Sequence, residues 1–171
     1  MRQFTSITLS LLIGVGLFST GCNPKNGQNQ NPVVETTAGQ VSGSINDSVY
    51  AFLGIPYAKA ERFIPPQDPD SWDSVRECND FGPVARQIVP WYPDSVQNEK
   101  ELFSVNVWTQ GVNDGQKRPV LLWLHGGGFH TGASNDPMTY GEAMARKGDI
   151  VMVSVNHRLN ILGFLDLSAC G

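Results

Sequence analysis

Two short runs, Val120 to Leu124 and Ile150 to Val155, are apolar on both faces of any strand they form. Strands of that kind belong inside a parallel sheet that is covered on two sides. A glycine-rich loop and a short helix separate them. Thr139 and Glu142 stand in capping-box spacing at the helix start, and Arg146, Lys147 and Gly148 mark its end. Strand, helix and strand of these lengths predict a right-handed parallel crossover, so the fold class is α/β.

The upstream part reads as antiparallel sheet. Val33 and Val34, a turn at Ala38 and Gly39, and then Val41 predict a small hairpin, and Val49 to Leu53 predicts another strand. Leu102 to Thr109 alternates as a half-buried strand does, with Phe103, Val105 and Val107 on one face and Ser104, Asn106 and Trp108 on the other. Asn113, Asp114 and Gly115 supply a turn before the first buried strand. Prolines at 56, 65, 66, 69, 83, 90 and 93 keep residues 54–95 largely out of regular structure. A loop of that length is functional, or lies against something large, or is a surface arm packed by its own aromatics.

Composition narrows the function classes. The 171 residues include 12 Lys and Arg against 16 Asp and Glu, a net charge of −4, which excludes an electrostatic nucleic-acid binder. Hydrophobic residues at 40% with charged residues at 16% describe a globular chain, and three cysteines are too few for a disulfide scaffold. The N-terminus reads as an address. Arg2 precedes the apolar stretch Ile7 to Phe18, which is too short for a hydrocarbon core that needs roughly 20 helical residues. A secretory signal peptide over residues 1–21 is the expectation. Ser19 to Cys22 resembles the cleavage box of bacterial lipoproteins, with Ser19 where that box usually has Leu. Cys22 is then the lipidation site, the alternative being ordinary signal cleavage beside an incidental cysteine. Residues 23–32 lack apolar side chains and read as a tether, so the domain spans 33–171. The expected location is the bacterial envelope or cell surface, with membrane contact through the Cys22 lipid alone.

The chemistry follows the first buried strand directly. His125, Gly126, Gly127, Gly128 and Phe129 stand at its carboxyl end, where open α/β sheets bind ligands. Glycines there let the backbone approach a substrate, and successive N–H groups can hold an oxyanion. A phosphate loop would need Lys and Ser or Thr after the last glycine, where Phe129 and His130 stand. A dinucleotide fingerprint fails because Thr131 occupies the third glycine position. A mere tight turn is the remaining alternative.

An ordered set of blocks carries a resemblance: GlyIleProTyrAla at 54–58, ArgPhe with ProPro at 62–66, Trp72, PheGlyPro at 81–83, AsnValTrp at 106–108, HisGlyGlyGlyPhe at 125–129, and AsnHisArgLeu with GlyPheLeu at 156–165. From about residue 36 onward the chain resembles the N-terminal part of a type B carboxylesterase, the family of cholinesterases and para-nitrobenzyl esterases. The resemblance implies an α/β-hydrolase fold, here its leading antiparallel strands and first parallel crossover. It also implies a small-molecule carboxylic ester as substrate, no metal and no cofactor. Gly127 and Gly128 become the oxyanion-hole donors, joined by the residue after the nucleophile. Other hydrolases with a similar glycine block, such as hormone-sensitive-lipase-like esterases, lack the GlyIleProTyrAla arm.

Departures from the family pattern carry expectations of their own. Ala85 and Leu102 occupy positions where many members carry a disulfide pair, which leaves the long loop pinned by packing alone. His157 stands where the family usually has Tyr and is read as structural. His125 and His130 are read as packing or loop residues, because the family's catalytic His lies far downstream. Phe129 and Trp91 are candidates for the acyl pocket, and Cys78 and Cys170 for free or buried thiols. The family's nucleophile sits in a GxSxG elbow, and the nearest string here, Gly132 to Asp136, ends in Asp. Nucleophile, acid and base are expected beyond Gly171, so none of these 171 residues is assigned as catalytic. Two functions stay open: a serine ester hydrolase, or a truncated, noncatalytic cholinesterase-like lipoprotein acting as a binding module or a degraded gene product. With its second neighbour missing, the strand at 119–125 is expected to expose an unpaired edge.

Overall fold

The computed structural model describes residues 31–88, 97–166 and 168. The signal segment, Cys22, Trp91 and Cys170 lie outside these described residues.

The hairpin forms as its valines and turn require. Strand β1 (Val33–Glu35) pairs antiparallel with β2 (Gln40–Ser42), with Val34 opposite Val41. The two-residue β5 (Arg76–Glu77) adds to β2 in parallel and completes a small three-stranded sheet. The main sheet contains β3 (Ser44–Asn46), β4 (Val49–Pro56), β6 (Ser104–Thr109), β7 (Val120–Leu124) and β8 (Val151–Val155). Its order is β3-β4-β6-β8-β7, antiparallel from β3 through β8 and parallel between β8 and β7. The short helix α1 (Glu142–Gly148) carries the chain between the two parallel strands. Helix α2 (Asn160–Phe164) follows β8.

The core lies on both faces of β4 and β6. On one face Val49, Ala51, Trp108 and Met152 pack against Ala145 of α1. Gly141, just before α1, lets that helix approach, since a Cβ there would sit 2.4 Å from the Trp108 ring. On the other face Phe52, Val41 and Cys78 meet, with Trp72 and Val107 packed around them. A third cluster joins Ala85, Leu102, Phe103 and Leu159, so the two positions of the expected missing bridge share one apolar cluster.

Four expectations are corrected. Strand β7 ends the sheet, as its missing neighbour predicts, but its faces are not enclosed: all five of its residues are exposed, Val120 at 66% and Leu124 at 62%. Among the described residues only β8 pairs with it, and the face of Val120, Leu122 and Leu124 is the more open one. In β6 the more deeply buried face is Ser104, Asn106 and Trp108, because the two polar side chains find partners inside. No capping box forms. Thr139 belongs to a 3-10 turn (Pro137–Thr139) capped by Asp136, while α1 starts behind Gly141 without a side-chain cap and ends on Asp149 in the left-handed conformation. Finally, the long loop is held by more than packing, for Arg62 grips Glu99 through several charge-assisted bonds of 2.7 to 2.9 Å.

Candidate functional site

The glycine turn leaves the carboxyl end of β7 with three consecutive positive φ angles: 125° at Gly127, 61° at Gly128 and 66° at Phe129. For Gly127 the requirement is also one of space, since a Cβ would lie 2.0 Å from the Thr131 carbonyl oxygen. At Gly128 a Cβ would meet nothing within 4 Å, so that position opens onto free space. Phe129 has no such freedom. A bulky side chain at positive φ is strained by about 1–2 kcal/mol, and the Phe129 carbonyl is held there by the Asn160 N–H at 2.6 Å.

Inside the turn, the His130 and Thr131 amides both donate to the Gly127 carbonyl, at 3.1 and 3.2 Å. The Gly127 and Gly128 N–H groups donate to no acceptor among the described residues. Residues Gly127 and Gly128 border a cavity of about 680 Å³ whose lining includes Tyr57, His125, Phe129, His157 and Phe164. The turn thus presents two unpaired amides beside an open, aromatic-lined cleft. Geometry of this kind can receive a negatively charged oxygen.

The aromatic lining is interlocked. His125 and His157 stack with centroids 4.3 Å apart, Phe129 packs on Phe164 at 4.6 Å, and Phe164 meets His157 edge-on at 6.2 Å. Nδ1 of His125 donates to the Gly126 carbonyl at 3.0 Å, and Nδ1 of His157 to the Arg158 carbonyl at 2.8 Å. Burial pushes the His125 pKa down, partly offset by the Gly126 carbonyl, and the His157 ring lowers it further. Burial likewise raises the Tyr57 phenol, against the pull of Arg158, and the Tyr57 hydroxyl donates to the Asn156 carbonyl at 2.8 Å.

A buried polar network supports the turn from below. Asn106, fully buried, accepts from the Gly54 N–H at 2.9 Å and donates to the Ser134 and Ser154 hydroxyls at 2.9 and 3.0 Å. Asn156 accepts from the Ser134 N–H at 2.8 Å and donates to the Pro83 carbonyl at 3.0 Å. These side chains fasten the segment after the glycines to β6, β8 and the long loop. Ser134, which sits in the string nearest to a serine elbow, spends its hydroxyl in this network and is 1% exposed, so it faces no substrate.

The sequence-derived candidates separate clearly. Gly127, Gly128, Phe129, His125 and His157 meet at one cavity, whereas His130 is exposed and contributes its amide to the turn. Cys78 lies far from it under the small sheet, where burial pushes its thiol up against the influence of Arg76. Sequence reasoning missed the supporting roles of Asn106 and Asn156. A polar residue inside β6 and another directly after β8 are the signal available. Among the described residues, no three His, Cys, Asp or Glu side chains gather in a way that could hold a metal ion.

Comparison with known proteins adds an independent observation. A model described as the carboxylesterase family matches residues 30–169. The chain is 38% identical over 146 residues to a phenmedipham hydrolase of Pseudarthrobacter oxydans, covering 78% of this chain and 29% of that protein. It is 32% identical over 145 residues to the para-nitrobenzyl esterase of Bacillus subtilis (strain 168), covering 80% and 29%. Among solved structures, a Geobacillus stearothermophilus carboxylesterase superposes with a TM-score of 0.72 at 44% identity, covering 80% of this chain and 28% of that one. The chain therefore spans about 29% of the length of the curated relatives it matches.

Proposed function

The chain belongs to the carboxylesterase family, with the α/β-hydrolase fold of its structural relatives, and we propose that it supplies the oxyanion-binding part of a serine ester hydrolase. In this reading the substrate is a small carboxylic ester whose carbonyl oxygen enters the cleft beside Gly127 and Gly128. Attack by a serine turns that oxygen into an oxyanion, and the two amides donate to it as charge develops. Each such donor contributes ~2.7–4 kcal/mol of transition-state stabilisation. No residue of this chain is assigned in this reading as the serine, its acidic partner or its histidine. The observation that carries the reading is the pair of amides left without acceptors at an open cavity.

Hydrolysis of a para-nitrophenyl ester tests it. The full-length protein should turn over the ester, and a Gly127→Ala, Gly128→Ala double variant should not. The 171-residue chain alone should match the double variant. An intact full-length protein as inactive as that variant favours the second reading, a cholinesterase-like binding module. The absence of a GxSxG string within the 171 residues is what keeps that reading in view.

Export is part of the proposal. Residues 1–21 direct secretion and Cys22 takes the lipid that holds the protein to a membrane. Metabolic labelling with a radioactive fatty acid should mark the protein and should fail for Cys22→Ala.

A further inference from the structure

Two glutamine side chains stand in series behind the glycine turn. Gln97 grips the backbone of Gln87: its Oε1 accepts from the Gln87 N–H at 3.1 Å, and its Nε2 donates to the Gln87 carbonyl at 3.0 Å. Gln87 then repeats the same fork on Gly132. Its Nε2 donates to the Gly132 carbonyl at 2.8 Å, and its Oε1 accepts from the Gly132 N–H at 2.9 Å. The second N–H of the Gln87 amide goes to the Ala85 carbonyl at 3.1 Å. Each fork reproduces the paired N–H and C=O contacts of neighbouring antiparallel strands where no strand is present. Gln87 is 7% exposed, so a broken fork would leave polar groups poorly solvated.

Gly132 is where this series bears on the turn. A Cβ there would lie 2.2 Å from the His125 Nδ1 and 2.4 Å from the Gly126 carbonyl oxygen, so the two ends of the turn are in van der Waals contact. The neighbouring Thr131 amide donates to the Gly127 carbonyl. A shift of Gly132 is therefore a shift of the residues that carry the two unpaired amides.

We infer that Gln97 and Gln87 are positioning residues acting in series: Gln97 fixes the Gln87 backbone, Gln87 fixes Gly132, and Gly132 fixes the oxyanion-binding turn. Their part in catalysis rests on the reading of Gly127 and Gly128 given above. Their structural part does not, which allows the two to fail separately.

Amide hydrogen exchange over residues 126–133 of the full-length protein, with β6 and β8 as internal references and ester hydrolysis measured in parallel, tests the inference. Gln97→Ala should speed exchange at Gly132 by about tenfold, the size of roughly one lost hydrogen bond, although Gln97 has no bond to Gly132. It should lower kcat and leave KM unchanged. Gln87→Glu carries a sharper signature. A protonated Glu can keep the one-donor, one-acceptor fork on Gly132 while giving up the bond to the Ala85 carbonyl, whereas an ionised one offers acceptors alone. After correction for intrinsic rates, its Gly132 exchange should match wild type in acid and run about tenfold faster at neutral pH, a step absent from wild type. The inference is overturned if Gln97→Ala leaves Gly132 exchange unchanged, if it speeds β6 and β8 equally, or if the Gln87→Glu step is missing. A wild-type protein that hydrolyses no ester while these exchange patterns hold refutes the oxyanion reading and leaves the glutamine series standing.

Discussion

The imidazole of His125 lies flat on that of His157, centroids 4.3 Å apart and planes within 9° of parallel, at the wall of the cavity that the glycine turn borders. A proton on His125 is thus held where the neighbouring His157 ring disfavours it. Burial already keeps His125 below the ordinary histidine pKa, with His157 adding to that effect.

A histidine with a depressed folded-state pKa binds its proton more readily when unfolded. Its contribution to stability is full above the unfolded pKa of about 6.5 and is lost as the pH falls from there through the lower folded-state value. Thermal melts of the protein should show this loss as the pH falls below about 6.5, and His125→Phe should remove that component. His157→Phe keeps a ring and removes the charge, so the His125 midpoint followed by NMR should rise. An unchanged or lower midpoint would contradict the role given to the stack.

The two donor glycines should respond differently to alanine. At Gly127 the new methyl meets the Thr131 backbone and φ is 125°, so Gly127→Ala should cost more than ~2 kcal/mol and disturb the whole turn. At Gly128 the methyl meets open space, so Gly128→Ala should cost only the left-handed penalty of about 1 kcal/mol. It would still project into the cleft and should lower kcat by about 10²-fold. Equal stability losses in the two variants, read from denaturant titration, would show that the turn is not built as described.

Asn106 is the centre of the polar network beneath the turn. Asn106→Leu removes an acceptor from the Gly54 N–H and donors from two buried hydroxyls at once. The expected loss is roughly 3 kcal/mol, because the orphaned groups stay out of reach of water. A variant with wild-type chemical stability would mean that the network is dispensable.

Ala85 and Leu102 are both buried in one cluster, at 3% and 2% exposure. The double variant Ala85→Cys, Leu102→Cys should therefore oxidise, as judged by loss of free thiols, and retention of both thiols would show that their geometry does not suit a bridge. Closing a loop of this length is worth about 3 kcal/mol in the chain-entropy account, and the gain should vanish on reduction. It would tie down the long loop that Gln87 and Arg62 now hold.

Local chemistry made much of this legible in the sequence, and contacts across the chain hid the rest. Valines and a turn mark β1 and β2, alternation marks β6, a doubly apolar run marks β8, and the run of glycines at the end of β7 points to the cleft. The pairing of His125 with His157 and the fork from Gln87 to Gly132 depend on how distant segments meet, which no local pattern encodes. The end of α1 was misplaced by one residue because Asp149, not Gly148, takes the left-handed conformation. The apolar pattern of β7 shows that its side chains favour burial, but cannot show what would bury them.

That last point gives the most direct expectation. Val120 to Leu124 are 37–66% exposed, and one edge of the strand has no partner among the described residues. An apolar, unpaired edge is a template for pairing with another chain. The 171-residue chain expressed alone should therefore self-associate, seen as a high apparent mass in light scattering and the lack of a sharp melt. Leu122→Lys, on that exposed strand, should reduce the association by placing a charge at the edge. Where a further segment packs on β7, the same lysine would be buried and should destabilise instead. A soluble monomer of the 171 residues that melts cooperatively would remove the reason to regard β7 as a surface awaiting cover.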